Sequence, residues 1–336
     1  MITGKEMEKL KIIPPDAQIY AQIKASWDKI AKPLDGLGQF ETMFAQIGAI
    51  TGSSSLSIEK KVILTICADN GIVAEGVSQS GQEVTAVVAG FMGQQASSVG
   101  KMARRAGVDV IPVDIGINTK ETLLGVRDCK VMQGTRDFLQ EPAMTEEEAL
   151  QALSVGIDLV RECKDKGYQL IGTGEMGIGN TTTSSMLVAA LTGRTAEEVT
   201  GRGAGLNDAG LLRKQQVIAQ ALEKYEKEIR SAHALSMLAA FGGLDIAGMA
   251  GVCIGGSGWA DLIGRGTGGG ADRAGCAGIC SAEPSEQGTR GKMDRGGTET
   301  SSGHRCGTGA WGGHRSRDAV FPSGSGTGTL RGSDNI

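Results

Sequence analysis

Four glycines, Gly172, Gly174, Gly177 and Gly179, surround a single carboxylate, Glu175, and lead into the hydroxyl-rich run Asn180-Thr-Thr-Thr-Ser-Ser185. An apolar run at 168–171 precedes them and an apolar helical pattern begins at Met186. Glycine reaches backbone angles that other residues resist and lets a ligand approach the main chain. The run that follows offers capping oxygens and free N–H groups at a helix start, whose partial positive charge suits a phosphate. Glu175 is the odd member. It would repel a pyrophosphate, but it could act on a substrate held beside a single phosphate. The plainer alternative is a surface loop ahead of a capped helix.

Two phosphate motifs can be tested on this stretch. Gly172-x-Gly174-x-x-Gly177 has the spacing of the dinucleotide fingerprint, with Glu197 and Glu198 downstream, which keeps a nicotinamide-dependent oxidoreductase in view. The P-loop is excluded because no Gly-Lys-Ser/Thr follows the glycines.

Further candidates lie on either side. Thr200-Gly-Arg-Gly-Ala-Gly-Leu-Asn-Asp208 is a second glycine cluster, with Gly201 and Gly203 at its centre, and it opens a long helix predicted over 209–228. Lys214 lies on the early turns of that helix, where a lysine on a polar face is ordinarily solvated. Asp69 begins a long loop running to Thr85 with Glu75, Gln79, Gln82 and Glu83. Glu75 and Glu83 read more readily as solvated helix edges, and His233, beside apolar helix positions, as structural. No Ser/His/Asp or Cys/His set can be assembled. Cys276-x-x-x-Cys280 with His304 and Cys306 has poor spacing for a zinc site.

The elements that must carry these residues alternate between strand and helix. The continuous apolar run at 61–69 has the pattern of a strand buried on both faces. Helices are predicted over 84–106, from Thr145 with Glu148 as a capping box to about 166, over 182–191 and over 234–241, with further strands at 108–113 and 169–172. Charged and apolar positions at helical spacing over 5–30 predict a pair of short surface helices, and another helix is predicted over 40–48. This alternation argues an α/β fold, a doubly wound parallel sheet with helices on both faces. The N-terminal region adds a small helical subdomain. Loops at the carboxyl ends of such strands are where ligands bind, and the Asp69 loop and both glycine clusters fall there.

At 336 residues the chain holds one large domain, or one with a smaller partner. A net charge of −4 gives no basic patch for nucleic acid or a membrane surface. No apolar run reaches the length of a membrane span, and the polar start lacks a signal-peptide core, which points to a cytoplasmic protein.

Several of these segments in combination resemble the nicotinate-nucleotide–dimethylbenzimidazole phosphoribosyltransferase, or CobT, family. They are Lys32-Pro-Leu-Asp-Gly-Leu-Gly38, Ala68-Asp-Asn-Gly-Ile-Val-Ala-Glu-Gly-Val-Ser78 with Gln82-Glu-Val-Thr85, Gly174-Glu-Met-Gly-Ile-Gly-Asn-Thr-Thr182 and Gly201-Arg-Gly-Ala-Gly205. The resemblance covers roughly residues 8–256. It implies a homodimeric α/β enzyme that moves phosphoribose from nicotinate mononucleotide to 5,6-dimethylbenzimidazole, giving α-ribazole 5′-phosphate and nicotinate for the lower ligand of cobalamin. By resemblance Gly174, Gly177, Gly179, Asn180, Thr181, Thr182, Gly201 and Gly203 bind substrate, with the phosphate on the 177–182 stretch. Gln82 borders the benzimidazole, and Glu175 and Lys214 are the catalytic pair. No cofactor or metal is implied. Domains follow as 1–50, the N-terminal helical segment of the small subdomain; 51–256, the phosphoribosyltransferase core; and 257–336, an aberrant tail.

The chain departs from the family in that tail. Residues 251–336 hold 24 of the 53 glycines but two leucines and two valines, and Lys and Arg change from 16 and 9 before the break to 1 and 8 after it. So little apolar surface cannot offset the entropy of ordering, which predicts a disordered tail. The family's Gly-Glu-Gly-Thr-Gly-Ala segment, which carries its remaining catalytic carboxylate, is missing, and Trp311-Gly-Gly-His-Arg-Ser-Arg-Asp318 stands in its place. Tryptophan has a single codon, so Trp311 fixes the frame. Written TGG GGA GGG CAC AGG AGC CGT GAT and advanced one nucleotide, the stretch reads Gly-Glu-Gly-Thr-Gly-Ala-Val. Around Trp259 the same offset gives Asp-Gly-Leu-Ile-Ser-Ser, again like the family. The expectation is a frame-shifted C-terminus and an enzyme poorly active for lack of one carboxylate, with a non-catalytic nucleotide-binding remnant of the same fold as the alternative.

Overall fold

The protein is described by a computed structural model that covers residues 14–257 and the short strand at 277–278. The remainder of the tail, the cysteines at 276 and 280, His304 and Cys306 lie outside the described residues, as do residues 1–13.

Five strands form a parallel sheet in the order β3-β2-β1-β4-β5: β1 Lys61–Ala68, β2 Val108–Gly116, β3 Arg127–Asp128, β4 Leu170–Met176 and β5 Ala277–Gly278. This is the doubly wound α/β arrangement expected from the sequence. The order reverses beside β1, so that β1 and β4 are adjacent across the switch point, where such sheets open a crevice at their carboxyl ends.

Alternation along β1 builds two cores. Val62, Leu64 and Ile66 enter the larger, with Val113, Ile115 and Ile171 from the flanking strands and Leu244, Ala247 and Val252 from helix α11, Leu244–Ser257. Cys67 points to the smaller core with Ile117 and with Ala89 and Met92 of helix α3, Glu83–Gly93. Helices therefore cover both faces. On the larger core α11 lies on helix α5, Glu146–Asp165, with backbones almost touching: a Cβ on Gly156 would stand 2.1 Å from the Gly248 carbonyl oxygen. Any side chain at that seam would force the helices apart.

The capping box at the start of α5 is present. Thr145 Oγ1 accepts from the Glu148 N–H at 3.1 Å and Glu148 Oε2 accepts from the Thr145 N–H at 2.7 Å. Arg136 then forks onto Glu148 with two contacts of 2.9 Å, which adds geometric specificity to the cap.

Several predicted boundaries are corrected. Of the two helices predicted over 5–30, the described residues hold one, α1 Ala17–Asp28, capped by the Asp16 carboxylate. It precedes α2, Gln39–Thr51. The helix predicted over 84–106 is two. After α3, Gln95 takes a left-handed φ of 56°, and Ser97 caps α4, Ser98–Ala106. The helix predicted over 209–228 is α8, Asp208–Lys224, followed by α9, Glu226–Ser231. Between β4 and α8 stand α6, Asn180–Thr192, and α7, Ala196–Val199; α10, Ala234–Phe241, precedes α11.

Strand β4 runs four residues past its predicted end. Gly172 pairs with Ile63 and Gly174 with Thr65, so both are sheet residues rather than turn residues. The dinucleotide fingerprint needs its first two glycines in the turn after the strand. That reading fails here.

Candidate active site

The site grows from the ends of β1 and β4. At the end of β1 the Asp69 carboxylate is fully buried and spends both oxygens on neighbours, accepting from Thr85 Oγ1 at 2.6 Å and from the Asn118 N–H at 2.8 Å. Thr85 Oγ1 in turn accepts from the Ile178 N–H at 3.1 Å. One hydroxyl thus rivets the loop after β1 to the turn after β4. Burial raises the proton affinity of Asp69, and the Thr85 and Asn118 donors oppose it.

The turn after β4 depends on two glycines. A Cβ on Gly177 would stand 2.0 Å from the Ala68 carbonyl oxygen, and Gly179 takes a left-handed φ of 96° with Asn70 and Val73 packed against it. Helix α6 begins at Asn180, and its first turn is internally satisfied. Asn180 N–H donates to Gly177 O at 3.2 Å, Thr182 N–H to Gly179 O at 3.0 Å and Thr181 N–H to Asn180 Oδ1 at 2.7 Å. Thr182 is fully buried, and its hydroxyl has no hydrogen-bond partner among the described residues.

Glu175 lies in the last part of β4, and the Asn180 side-chain amide donates to its carboxylate. Burial pushes its proton affinity up; the Asn180 donor works against that shift. Gly174, one residue earlier, is a sheet position beside Thr65, so it supports Glu175 from within the strand.

Lys214 is corrected from a solvated lysine to a fully buried one. Its neighbours Arg213, Gln215 and Gln216 give the segment a polar look. Yet Lys214 is in helical register with Val217, Ile218 and Ala221, the buried stripe of α8, and that spacing was the available signal. Its Nζ donates to Thr181 Oγ1 at 2.7 Å and to the Gly201 carbonyl oxygen at 3.4 Å. Gly203, at φ 54°, brings its backbone against the same Thr181 hydroxyl, which a Cβ would meet at 2.9 Å. Both glycine clusters and Lys214 therefore converge on Thr181. No acidic side chain among the described residues pairs with Lys214, and burial lowers its pKa to about 8.

The second cluster is tied back to the loop after β1. Gln79 Nε2 donates to Gly205 O at 2.6 Å, Arg213 Nε donates to Glu75 O at 2.9 Å, and the Arg213 guanidinium pairs with the Glu75 carboxylate. Glu75 is thus an ion-pair partner rather than a solvated helix edge. Gln82 faces the same crevice, donating from Nε2 to Asn70 O at 3.1 Å while its Oε1 accepts from Asn118 Nδ2 at 2.8 Å. His233 caps α10, its ring nitrogen 2.9 Å from Ser236 Oγ, and takes no part.

Two residues escape a reading of the sequence. Asn70 and Asp245 are buried, and Asn70 Nδ2 and Asp245 Oδ2 have no hydrogen-bond partner among the described residues. Asp245 Oδ2 lies 3.1 Å from where a Gly177 Cβ would stand, directly against the glycine turn. The only hint of it was the Gly242-Gly243 pair ahead of an apolar helical run.

A family model described as Phosphoribosyltransferase matches residues 12–260. The chain is 43% identical over 246 residues to the nicotinate-nucleotide–dimethylbenzimidazole phosphoribosyltransferase of Geotalea uraniireducens, covering 73% of this chain and 69% of that protein. It is 40% identical over 242 residues to the enzyme of the same name from Clostridium acetobutylicum, covering 71% and 68%. Among solved structures it resembles CobT from Thermus thermophilus at a TM-score of 0.65 and 33% identity, over 72% of each chain.

Proposed function

From the premise that this chain belongs to the nicotinate-nucleotide–dimethylbenzimidazole phosphoribosyltransferase family, we propose that its crevice binds nicotinate mononucleotide and 5,6-dimethylbenzimidazole and transfers phosphoribose between them. The observation that carries the assignment to this site is Lys214. A lysine buried without a counter-ion is costly, and a bound anion removes that cost. It stands where two glycine clusters meet at a helix start, the setting for one phosphate.

On this reading the nucleotide phosphate takes the place between Gly177, Gly179, Asn180, Thr181 and Thr182 on one side and Gly201 and Gly203 on the other. A phosphate oxygen replaces Asn180 Oδ1 as acceptor for the Thr181 N–H. The anomeric carbon then lies towards Glu175, and Gln82 borders the azole.

In the reaction the bond from the anomeric carbon to the pyridinium nitrogen breaks, and its electron pair stays on that nitrogen and cancels its positive charge, so nicotinate leaves without a general acid. A bond from the azole nitrogen forms on the opposite face of the ribose, so holding base and nucleotide in line does much of the work. The azole's other ring nitrogen loses its proton to the family's second carboxylate or, in this chain, which lacks that base, to water. Glu175 stabilises the positive charge that develops at the ribose. The family's second carboxylate, in Gly-Glu-Gly-Thr-Gly-Ala, is absent from this sequence, and the chain as written turns over slowly for want of it.

On the same reading the chain divides into 1–50, 51–256 and 257–336, with the last segment encoded out of frame. The match to the family model ends at residue 260, beside the change in composition. A cytoplasmic setting is supported by four free cysteines among the described residues, Cys67, Cys129, Cys163 and Cys253. Among the described residues no helix is long and apolar enough to cross a membrane. A homodimer is supported by the exposed apolar side chains Val87 and Phe91 of α3, Met102 of α4 and Leu124.

The test is calorimetric titration with nicotinate mononucleotide, followed by incubation with both substrates and assay for free nicotinate. Failure to bind the mononucleotide sinks the proposal. Binding with no release of nicotinate, even in a chain given the family's C-terminal segment, would leave a nucleotide-binding remnant.

A further inference from the structure

We infer that Asn70 is a positioning residue that keeps the azole side of the crevice in register with the phosphate side, an inference that rests on the site reading proposed above. Asn70 follows Asp69 at the end of β1 and is buried beneath the crevice. Its groups reach in different directions. The main-chain N–H donates to the Ile178 carbonyl oxygen in the glycine turn at 3.2 Å. Its own carbonyl oxygen accepts from Gln82 Nε2 at 3.1 Å, on the azole side. Its side-chain Oδ1 accepts from Thr183 Oγ1 at 3.0 Å, in the first turn of α6 on the phosphate side. A Cβ on Gly179 would stand 2.9 Å from Asn70 Cβ, so the turn is seated directly on this side chain.

The remaining group, Nδ2, has no hydrogen-bond partner among the described residues, and neither has Asp245 Oδ2. Gly243 keeps these two side chains adjacent, since a Cβ there would stand 2.7 Å from Asn70 Oδ1 and 2.2 Å from Asp245 Oδ1. A buried residue whose main chain holds the glycine turn and Gln82 while its side chain holds Thr183 cannot shift for one without disturbing the others, because close-packed interiors transmit displacement. Movement of Thr183 on phosphate binding is therefore felt at Gln82. Asn70 acts through those two residues and not by touching a ligand.

Such a part predicts coupling between ligands, which a merely structural asparagine would not. Calorimetry on the full chain measures the affinity for nicotinate mononucleotide and for dimethylbenzimidazole, each alone and each with the other present. In the unaltered chain each ligand should strengthen the other on the order of tenfold, a usual size for coupling between sites. In Asn70→Ala the single-ligand affinities should fall less than about threefold while the coupling disappears. Should Asn70→Ala not fold, as judged by circular dichroism, Thr183→Val removes the donor to Asn70 and should abolish the coupling in its place. Unaltered chain that binds both ligands without coupling overturns the inference and leaves the site reading standing. So does coupling that survives Asn70→Ala, or Thr183→Val where that variant replaces it. A folded Asn70→Ala that binds neither ligand makes Asn70 part of the site's construction and overturns it too. Unaltered chain that binds neither ligand removes the site reading itself, and this inference with it.

Discussion

Asp245 lies directly against the Gly177 turn, within reach of the Glu175 charge two residues before it. Asp245 is raised to about 7, by its burial first and by the Glu175 charge second, from an ordinary value of 3.8. The folded protein therefore holds a proton on Asp245 that the unfolded chain has released. Stability from this group is present below the unfolded value and is lost as pH rises through that window to about 7. Asn at position 245 keeps an acceptor for the Ile246 N–H, now met by Oδ1 at 2.9 Å, and removes the ionisation. Asp245→Asn should stabilise the fold at pH 8 on the order of a few kcal/mol, with the gain shrinking towards pH 4. Urea denaturation at several pH values checks this, and a pH-independent difference would contradict it.

Glu175 should matter to turnover more than to binding. In a chain carrying the family's C-terminal segment, Glu175→Gln is expected to lower turnover by about a hundredfold or more. Nicotinate mononucleotide binding should change little, because the phosphate cradle is built by other residues and Gln can still accept from Asn180. Near-normal turnover in the variant would remove Glu175 from the mechanism.

Lys214 should govern binding of the phosphate. Lys214→Met keeps the bulk of the stem and removes the charge; affinity for nicotinate mononucleotide is expected to fall by about 10- to 100-fold, the worth of a charge-assisted hydrogen bond. The unaltered chain adds a pH signature. Burial lowers Lys214 to about 8, and a phosphate favours its charged form. Affinity should therefore be full below about pH 8 and weaken above it, whereas in Lys214→Met it should be flat from pH 7 to 9. Titrations across that range decide the point.

The reading frame is testable without protein. Sequencing the gene across codons 250–320 should show Gly-Glu-Gly-Thr-Gly-Ala encoded one nucleotide forward of the present frame at Trp311. If the shifted frame does not encode that segment, the idea is wrong. Where it does, a chain expressed through the restored frame should release nicotinate far faster than the chain as written.

What the sequence disclosed depended on how local the determining contacts are. The capping box of α5 and the apolar run of β1 are written in adjacent residues, and both elements stand within a residue or so of where they were expected. Gly172 and Gly174 misled because strand pairing to Ile63 and Thr65, more than a hundred residues away, outweighs the turn preference of glycine. The division between α3 and α4 rests on one left-handed residue, Gln95, of a type that carries no turn signal. Asn70 and Asp245 were invisible for a related reason. Their neighbours Thr183, Gly177 and Glu175 come from distant parts of the chain, and although apolar residues flank both, no local spacing announces those contacts. Lys214 was legible in principle, through its spacing to Val217, but its polar neighbours hid it.

Lys214, a buried cation with no acidic partner among the described residues, has a consequence for the life of the protein. Charge sealed away from water weakens the vacant fold, and whatever neutralises it restores what was lost, by an amount that grows with the logarithm of ligand concentration. The substrate thus acts as the protein's preservative. Inorganic phosphate alone should raise the melting temperature of the unaltered chain and leave Lys214→Met unmoved; equal shifts in the two would disprove the connection. In a cell short of the nucleotide, vacant molecules would open more often and be cleared by proteases sooner, so the supply of substrate would help set how much of this protein persists.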